Sequence, residues 1–248
     1  MQHIFQVIFY QPILNLLVFL YNTISFKDFG VAIILLTIII RLILWPLSQK
    51  SIKAQKDLQN LQPKINELKE KFKGDKQAQS LATMQLYKEH KINPFSSCLP
   101  LLVQLPFLIA VFNVFRDGLT NKLGLLYSFV EKPEAINFIA FGFLDLSKPN
   151  IYLAVLAGVA QFWQAKMMIA KRPEIKSPGA KDEDMAAIMS KQMTYLMPVM
   201  TIFIGASLPG GLTFYWFLVT ILTALQQLII IKSDKDKKVS VVEGEIVK

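Results

Sequence analysis

Long apolar runs separated by short polar segments dominate the chain. Five runs are long enough, or nearly long enough, to cross a bilayer as helices: residues 29–47, 98–115, 151–170, 193–208 and 211–231. A hydrocarbon core of about 30 Å requires about 20 helical residues. The second and fourth runs are short and contain prolines, and short spans favour local thinning of the bilayer. The pattern predicts an all-α polytopic membrane protein with five transmembrane helices.

A further apolar segment, residues 4–26, precedes the first of these runs and is long enough to span the membrane. Its polar residues Gln11, Asn15 and Asn22 fall on one helical stripe. Such a stripe is typical of a helix that lies in the membrane interface. We therefore predict an interfacial amphipathic helix at the outer face within residues 1–28, with a sixth span as the alternative.

The segment between the first two runs, residues 50–92, has the spacing of two helices. The first helix carries an apolar seam with spacings of three and four residues, which comprises Leu58, Leu61, Ile65, Leu68 and Phe72. Gly74 interrupts this pattern as a helix C-cap, and a second helix follows over 76–91. Its apolar positions are Leu81, Met84 and Tyr87. We predict a helical hairpin, and the residues alone leave open whether it packs only on itself or docks a partner.

Composition and charge support a membrane protein and suggest its orientation. The chain is 53% hydrophobic with a mean hydropathy of +0.40, which is too apolar for an ordinary soluble domain. The loop 48–97 carries ten lysines against five acids, whereas 116–150 carries four charges of each sign. Basic loops near span ends mark the cytoplasmic side. The N-terminus is then outside and the C-terminus cytoplasmic.

The remaining charges are spread between apolar segments. Because the lysines do not cluster on one soluble module, direct binding of nucleic acid is not expected. The tail from 232 to 248 carries five basic and four acidic residues and lacks an apolar pattern, so we predict that it is disordered.

Residues that perform enzyme chemistry are sparse. His3 and His90 lie outside the five runs, and Cys98 is the single cysteine, so no intrachain disulfide forms. Neither a metal-binding motif nor a phosphate-binding loop is present. The five runs contain no acid, which argues against a proton relay. We predict a protein that is not an enzyme and has neither a cofactor nor a metal site.

One cation stands inside an apolar run, at Arg41 in "LTIIIRLILWP". It precedes Ser48 by seven residues, which places it about 10 Å inside the cytoplasmic edge of a helix. An arginine at mid-helix costs roughly 2.5–3.5 kcal/mol on insertion scales. Its side chain can snorkel to the interface, form an ion pair, or lie in a wet cavity. The lack of an acid partner favours a cavity open to the cytoplasm, with Thr37 one turn away.

Three longer blocks stand out along the chain: "LQPKINELKEKF" (61–72), "LYKEHKINPFSSCLPLLVQLPFLIAVF" (86–112) and "SLPGGLTFYWFLVTILTALQQ" (207–227). They resemble the signature blocks of the YidC/Oxa/Alb family of membrane protein insertases. Their order, their spacing and the five-span plan also match, over roughly residues 10–232. The chain resembles a minimal bacterial member without the large periplasmic domain of some relatives.

The resemblance implies a five-helix core, residues 29–231, around a hydrophilic groove that is open to the cytoplasm and closed outside. It places Arg41 in this groove and substrate contacts on the third and fifth core spans. The small residue after the proline of the last block is Gly210, which we expect to permit a tight outer turn. The expected groove residues are Arg41, Thr37, Gln104, Gln161, Gln164, Trp163, Tyr215 and Trp216.

The resemblance also implies a function. A nascent membrane protein enters the groove and its transmembrane segments are released into the lipid bilayer of the cell (inner) membrane. The expected partners are nascent membrane proteins and the lipid bilayer, with the Sec translocon, the signal recognition particle receptor and the ribosome as further candidates. The alternatives are a membrane protein assembly chaperone without insertion activity and a small-solute channel or transporter in which Arg41 binds an anion.

Overall fold

The computed structural model describes residues 2–93, 99–116, 123–167 and 192–246, and these are mostly helical. The helices are α1 (Gln2–Phe5), α2 (Gln11–Thr23), α3 (Phe29–Ile43), α4 (Trp45–Lys71), α5 (Lys76–Glu89), α6 (Leu99–Arg116), α7 (Ile151–Met167), α8 (Met197–Gly205) and α9 (Gly210–Ile246). π-Helical turns over Gln6–Tyr10 and Gln192–Leu196 lead into α2 and α8. Strands β1 (Ile139–Ala140) and β2 (Leu144–Asp145) form a short antiparallel hairpin. The helical prediction is confirmed, and the described ranges add this β-hairpin and a 3-10 turn over Leu123–Leu125.

Each of the five apolar runs contains a helix, in order α3, α6, α7, α8 and α9. Of these, the part of α9 over Gly210–Lys232 is long and apolar enough to cross a membrane by itself, and α3 passes that test together with α4. The positions of the helices are therefore confirmed, whereas the number of five spans stays a prediction. Cys98 and the stretch 168–191, which includes the end of the third run, lie outside the described residues.

The N-terminal helix, formed by α1, the first π-helical turn and α2, packs into the core. Its span His3–Thr23 has 21 residues and is apolar enough to cross a membrane. Leu14, Leu17 and Tyr21 are buried against the rest of the fold. The interfacial position of this helix stays a prediction.

The polar stripe of the N-terminal helix binds backbone groups of the loop 123–137. Asn15 is only 3% exposed, and its Nδ2 donates to the Leu125 carbonyl at 3.1 Å while its Oδ1 accepts from the Tyr127 N–H at 2.6 Å. Gln11 donates to the same carbonyl at 3.0 Å. Backbone polar groups that are removed from water require hydrogen-bond partners. The side chains of the stripe provide such partners for this loop and do not lie free at a water-facing surface.

We call residues 123–148 the outer plate, after the side of the membrane on which the charge pattern predicts them to lie. Hydrogen bonds attach them to the starts of two core helices. Asp28 caps α3 by accepting from the Val31 N–H at 3.0 Å, and its second oxygen accepts from the Phe141 N–H at 2.6 Å. The N–H of Gly211 donates to the Leu146 carbonyl at 2.8 Å. The outer plate is therefore held against both α3 and α9.

Gly210 is required for close approach between α9 and the outer plate. Its N–H donates to the Lys148 carbonyl at 2.9 Å, and a Cβ atom at this position would lie 2.8 Å from that oxygen. The positive backbone φ angles among the described glycines belong to Gly74 and Gly142. Gly210 therefore serves the turn between α8 and α9 by leaving space for the backbone of residues 145–148, and not by a positive φ angle.

A small charged turn ends the outer plate. The pKa of the Asp145 carboxyl lies below its ordinary value because the Ser147 hydroxyl and N–H donate hydrogen bonds to it. The Lys148 ammonium, 3.3 Å from the carboxylate, adds a smaller effect in the same direction. The carboxylate form of Asp145 is thus favoured at the end of the outer plate, shortly before α7 begins.

The helical hairpin forms where it was predicted, from α4 and α5. The break falls at Gly74, whose φ is +95°, and Asp75 caps α5 by accepting from the Ala78 N–H at 2.9 Å. Leu61 and Ile65 of the predicted seam are buried.

The predicted apolar face of α5 is wrong in part. Leu81 and Met84 are 72% and 54% exposed. Gln79 turns another face of α5 inward, because its Nε2 donates to the carbonyls of Lys69 and Phe72 at 3.1 and 3.0 Å. These carbonyls lie at the end of α4 and lack helical partners, so a polar contact decides which side of α5 faces α4.

The charged tail differs from its prediction, since α9 continues as a helix to Ile246. Residues 232–248 contain no proline. Extending an existing helix adds one hydrogen bond per residue without a new nucleation step, which explains how a polar segment can continue it.

We expect Asn15→Ala to lower the free energy of unfolding by about 1–3 kcal/mol, because it leaves the partly buried N–H of Tyr127 without its side-chain partner. Denaturant unfolding in detergent micelles measures this change. Asn22→Ala is the control, since the bond from Asn22 to the Glu131 carbonyl is exposed. Equal losses in the two variants would contradict the proposed role of the buried amide.

Candidate substrate groove at Arg41

Arg41 lies in the last turn of α3, directly before a sharp bend. A single residue, Leu44, separates α3 from α4, and the two helix axes differ by 68°. Pro46 stands in the first turn of α4, where a proline is tolerated because its missing N–H has no helical partner there. The apolar run therefore ends in a change of direction close to the cation.

The polar partner of Arg41 is a neutral amide. Its Nη2 donates to Oε1 of Gln226 on α9 at 2.9 Å, and Gln226 is 1% exposed. Across the part of the chain that the structure describes, Arg41 forms no salt bridge. A glutamine carries no charge, so the positive charge of the half-buried guanidinium is not neutralised by its partner.

A crevice opens beside Arg41, between the α3–α4 bend and α6. Its empty volume is ≈ 260 Å³, counted out to the open mouth, and its lining consists of Arg41, Leu44, Leu47, Ser48, Ser51, Val103 and Gln104. That volume includes open solvent, and the space that whole water molecules can occupy is only ≈ 20 Å³. As it stands, the crevice has room for about one water molecule, whereas a helix of about 10 Å diameter requires the surrounding helices to separate.

Two expected groove residues form a pair beside the crevice. Gln104, on α6, donates through Nε2 to the hydroxyl oxygen of Tyr215 on α9 at 3.1 Å. Tyr215 is 1% exposed, whereas Trp216 is half-buried. Tyr215 is therefore a core residue whose hydroxyl reaches the lining of the crevice, and Trp216 is the more accessible of the two aromatic side chains.

The expected residues of the third span lie elsewhere. Oε1 of Gln161 accepts from the Thr201 hydroxyl, which belongs to α8. A Cβ atom at Gly158 would clash with the Ile202 side chain, so α7 and α8 pack closely at this level. Gln164 is half-buried and Trp163 is 41% exposed, and neither borders the crevice at Arg41.

Thr37 does not line the crevice. It is fully buried, and its hydroxyl donates to the Ile33 carbonyl at 2.6 Å within the same helix. Threonine commonly satisfies its hydroxyl in this way inside a helix. The structure thus places Thr37 outside the lining of the crevice, with its hydroxyl bound to a local acceptor, and its expected part in the groove stays a prediction.

Gln226 is the site residue that the sequence reasoning missed, although a signal for it exists. Gln226 precedes Lys232 by six residues, and Arg41 precedes Ser48 by seven, so both lie at a similar depth from the ends of their runs. A polar residue at matched depth on another run is a natural partner for a cation. Among the described residues, no group of three His, Cys, Asp or Glu side chains is placed to hold a metal ion.

Comparison with known proteins assigns the chain to a family. The family described as 60Kd inner membrane protein matches residues 19–238. The chain is 36% identical over 225 residues to the membrane protein insertase YidC of Fusobacterium nucleatum, covering 90% of this chain and 97% of that protein. The chain belongs to the YidC/Oxa/Alb family. The resemblance seen in the sequence blocks is thereby confirmed.

Other YidC proteins are longer than this chain. The membrane protein insertase YidC of Citrifermentans bemidjiense is 34% identical over 226 residues, which cover 91% of this chain and 37% of that protein. A solved structure titled "Active YidC insertase crystal structure with the first transmembrane domain resolved" matches with a TM-score of 0.56 and 26% identity. The match covers 89% of this chain and 45% of the chain in the solved structure. YidC homologues are inner-membrane proteins with an insertase function.

We expect Tyr215→Ala to lower the free energy of unfolding by about 3–5 kcal/mol, as for other buried aromatic side chains. Tyr215→Phe keeps the ring and removes the acceptor of Gln104, so its loss is nearer 1 kcal/mol. Thermal unfolding in detergent measures both. Trp216→Ala is the comparison, and a larger loss at Trp216 than at Tyr215 would contradict the assignment of Tyr215 to the core.

Proposed function

We propose that this chain inserts membrane proteins by admitting a short polar segment of a nascent protein to the crevice at Arg41. The observation that carries the proposal is a half-buried cation whose partner is a neutral amide. At an effective dielectric constant of about 20, an acidic group 4 Å away gains about 4 kcal/mol of Coulomb energy. An acidic residue in the entering segment is thereby attracted into the membrane region, and no bond-making chemistry is required.

The apolar part of the substrate leaves sideways along α7. Val155, Val159 and Trp163 repeat every four residues on one face of this helix and are 42%, 59% and 41% exposed. This stripe suits contact with lipid or with an apolar segment moving into lipid. Transfer of apolar surface out of water supplies the driving force, at about 25 cal/mol per Å².

The outer plate supports insertion over solute transport. A channel or transporter needs a path that opens on the outer side. Here Asp28, Gly210 and Gly211 bind the plate backbone across the outer ends of α3 and α9. We propose that the crevice is entered from the opposite, cytoplasmic end, which suits a segment that enters and leaves through the same leaflet or into lipid.

We propose that the N-terminus lies outside and the C-terminus in the cytoplasm, since the lysine-rich loop 48–97 then lies inside.

Nascent membrane proteins and lipid are the partners that family membership supports. The Sec translocon, the signal recognition particle receptor and the ribosome stay predictions. The hairpin, with Leu81 and Met84 exposed, is the candidate docking element for them.

Reporter fusions test the orientation. A fluorescent protein that folds only in the cytoplasm should fluoresce when it follows Lys248, because the C-terminus is inside. Alkaline phosphatase inserted after Glu134, in the outer plate, should be active, because that segment is outside. The opposite activities would overturn the proposed topology.

Insertion assays with matched substrates test the role of Arg41. One substrate carries acidic residues in its translocated segment, and the other carries their amide counterparts. We expect Arg41→Ala to reduce insertion of the acidic substrate about tenfold, a loss of roughly 1.4 kcal/mol, with a smaller effect on the neutral one. Arg41→Lys keeps the charge and should keep most of the activity.

The control for these variants is Lys53→Ala, which removes an exposed cation from the hairpin. It should leave the preference for acidic segments unchanged. If Arg41→Ala inserts the acidic substrate as well as the wild type does, the proposed role of the cation is contradicted.

A further inference from the structure

Gln226 joins two elements of the site through one side chain. Its Oε1 accepts from Arg41 at 2.9 Å, and its Nε2 approaches the Trp45 carbonyl oxygen at 3.4 Å. Arg41 belongs to the last turn of α3, and Trp45 is the first residue of α4. A single amide from α9 therefore bridges the two sides of the 68° bend from which the hairpin departs.

We infer that Gln226 is a positioning residue, which holds the Arg41 guanidinium and the start of the cytoplasmic hairpin in one arrangement. A substrate segment that binds Arg41 in place of Gln226 then also loosens the bend between α3 and α4. This inference rests on the proposed function, and it adds a coupling between occupancy of the crevice and the orientation of the hairpin.

The chemistry of the side chain suits this role. A glutamine amide presents an acceptor and two donors in one plane, so it can bind a guanidinium and a carbonyl together. It aligns the cation without cancelling its charge, which a carboxylate would do. Gln226 is 1% exposed, so little water competes for these bonds.

An entering acidic residue competes with Gln226 for Arg41. A bond from a guanidinium to a carboxylate is charge-assisted and about twice as strong as one to a neutral oxygen. The Nε2 contact to Trp45 is at the long end of the hydrogen-bond range and is the weaker of the two. Losing the Arg41 bond removes the stronger restraint on the amide, and the hairpin is then less firmly held.

A distance measurement tests the coupling without any substrate. Spin labels on cysteines at Lys73, in the hairpin turn, and at Lys166, on α7, report the position of the hairpin, with Cys98 replaced by serine. Both labelled residues are exposed. Gln226→Met has a similar shape and lacks both bonds, so pulsed EPR in lipid nanodiscs should show a shifted or broadened distance distribution.

The adjacent glutamine provides the matched control. Gln227 is 3% exposed, and its Oε1 has no hydrogen-bond partner within the described part of the chain. Gln227→Met should leave the distance distribution as in the wild type. A distribution in Gln226→Met that equals that of the wild type would overturn the coupling.

A charge swap tests whether Gln226 positions Arg41 without neutralising it. Gln226→Glu keeps an acceptor for Arg41 and adds a negative charge. We expect the preference of this variant for acidic over neutral substrates to fall about tenfold, to the level of Arg41→Ala. The introduced carboxylate forms an ion pair with Arg41 and neutralises its charge. Gln226→Met should keep most of that preference, since Arg41 stays charged. An unchanged preference in Gln226→Glu would overturn this part of the inference.

The two measurements separate the inference from the proposed function. If wild-type protein shows no preference for acidic segments, the proposed role of Arg41 fails. The distance distributions would still report whether Gln226 holds the bend.

Discussion

The hydrogen bond between Arg41 and Gln226 is the contact on which the rest of the site depends. A cation about one turn from the end of an apolar helix must find polar surroundings within the membrane region. Here α9 supplies a buried amide at 2.9 Å, which fixes how α3 and α9 approach each other. The bend between α3 and α4 and the crevice against α6 lie around that contact.

The two ends of the fold satisfy their polar groups in different ways. At the outer plate, Asp28 and Asn15 pair with backbone N–H groups and Gly211 donates to a backbone carbonyl. Unpaired backbone groups are costly in an apolar medium, so these bonds favour a closed end. At Arg41, polar side chains instead share the lining of an open crevice with Leu44, Leu47 and Val103. This asymmetry suits a site that is entered from one side.

Much of the fold follows from patterns within single segments. The apolar runs contain the core helices, and Gly74 with Asp75 marks the break in the hairpin. Family membership is also readable, because the matching blocks are long and lie in order along residues 19–238. Side-chain orientation is less predictable. Leu81 is exposed because Gln79 binds the carbonyls at the end of α4, a contact that spacing along α5 does not reveal.

The sequence by itself determined that an uncompensated arginine stands in an apolar helix and that no acid within the runs can pair with it. Only the tertiary structure decided its surroundings. It buried Thr37 and Tyr215, and it selected Gln226, which lies 185 residues away in the chain, as the partner. The physical reason is that helical periodicity reports which residues share a face of one helix, whereas partners across helices depend on how those faces pack.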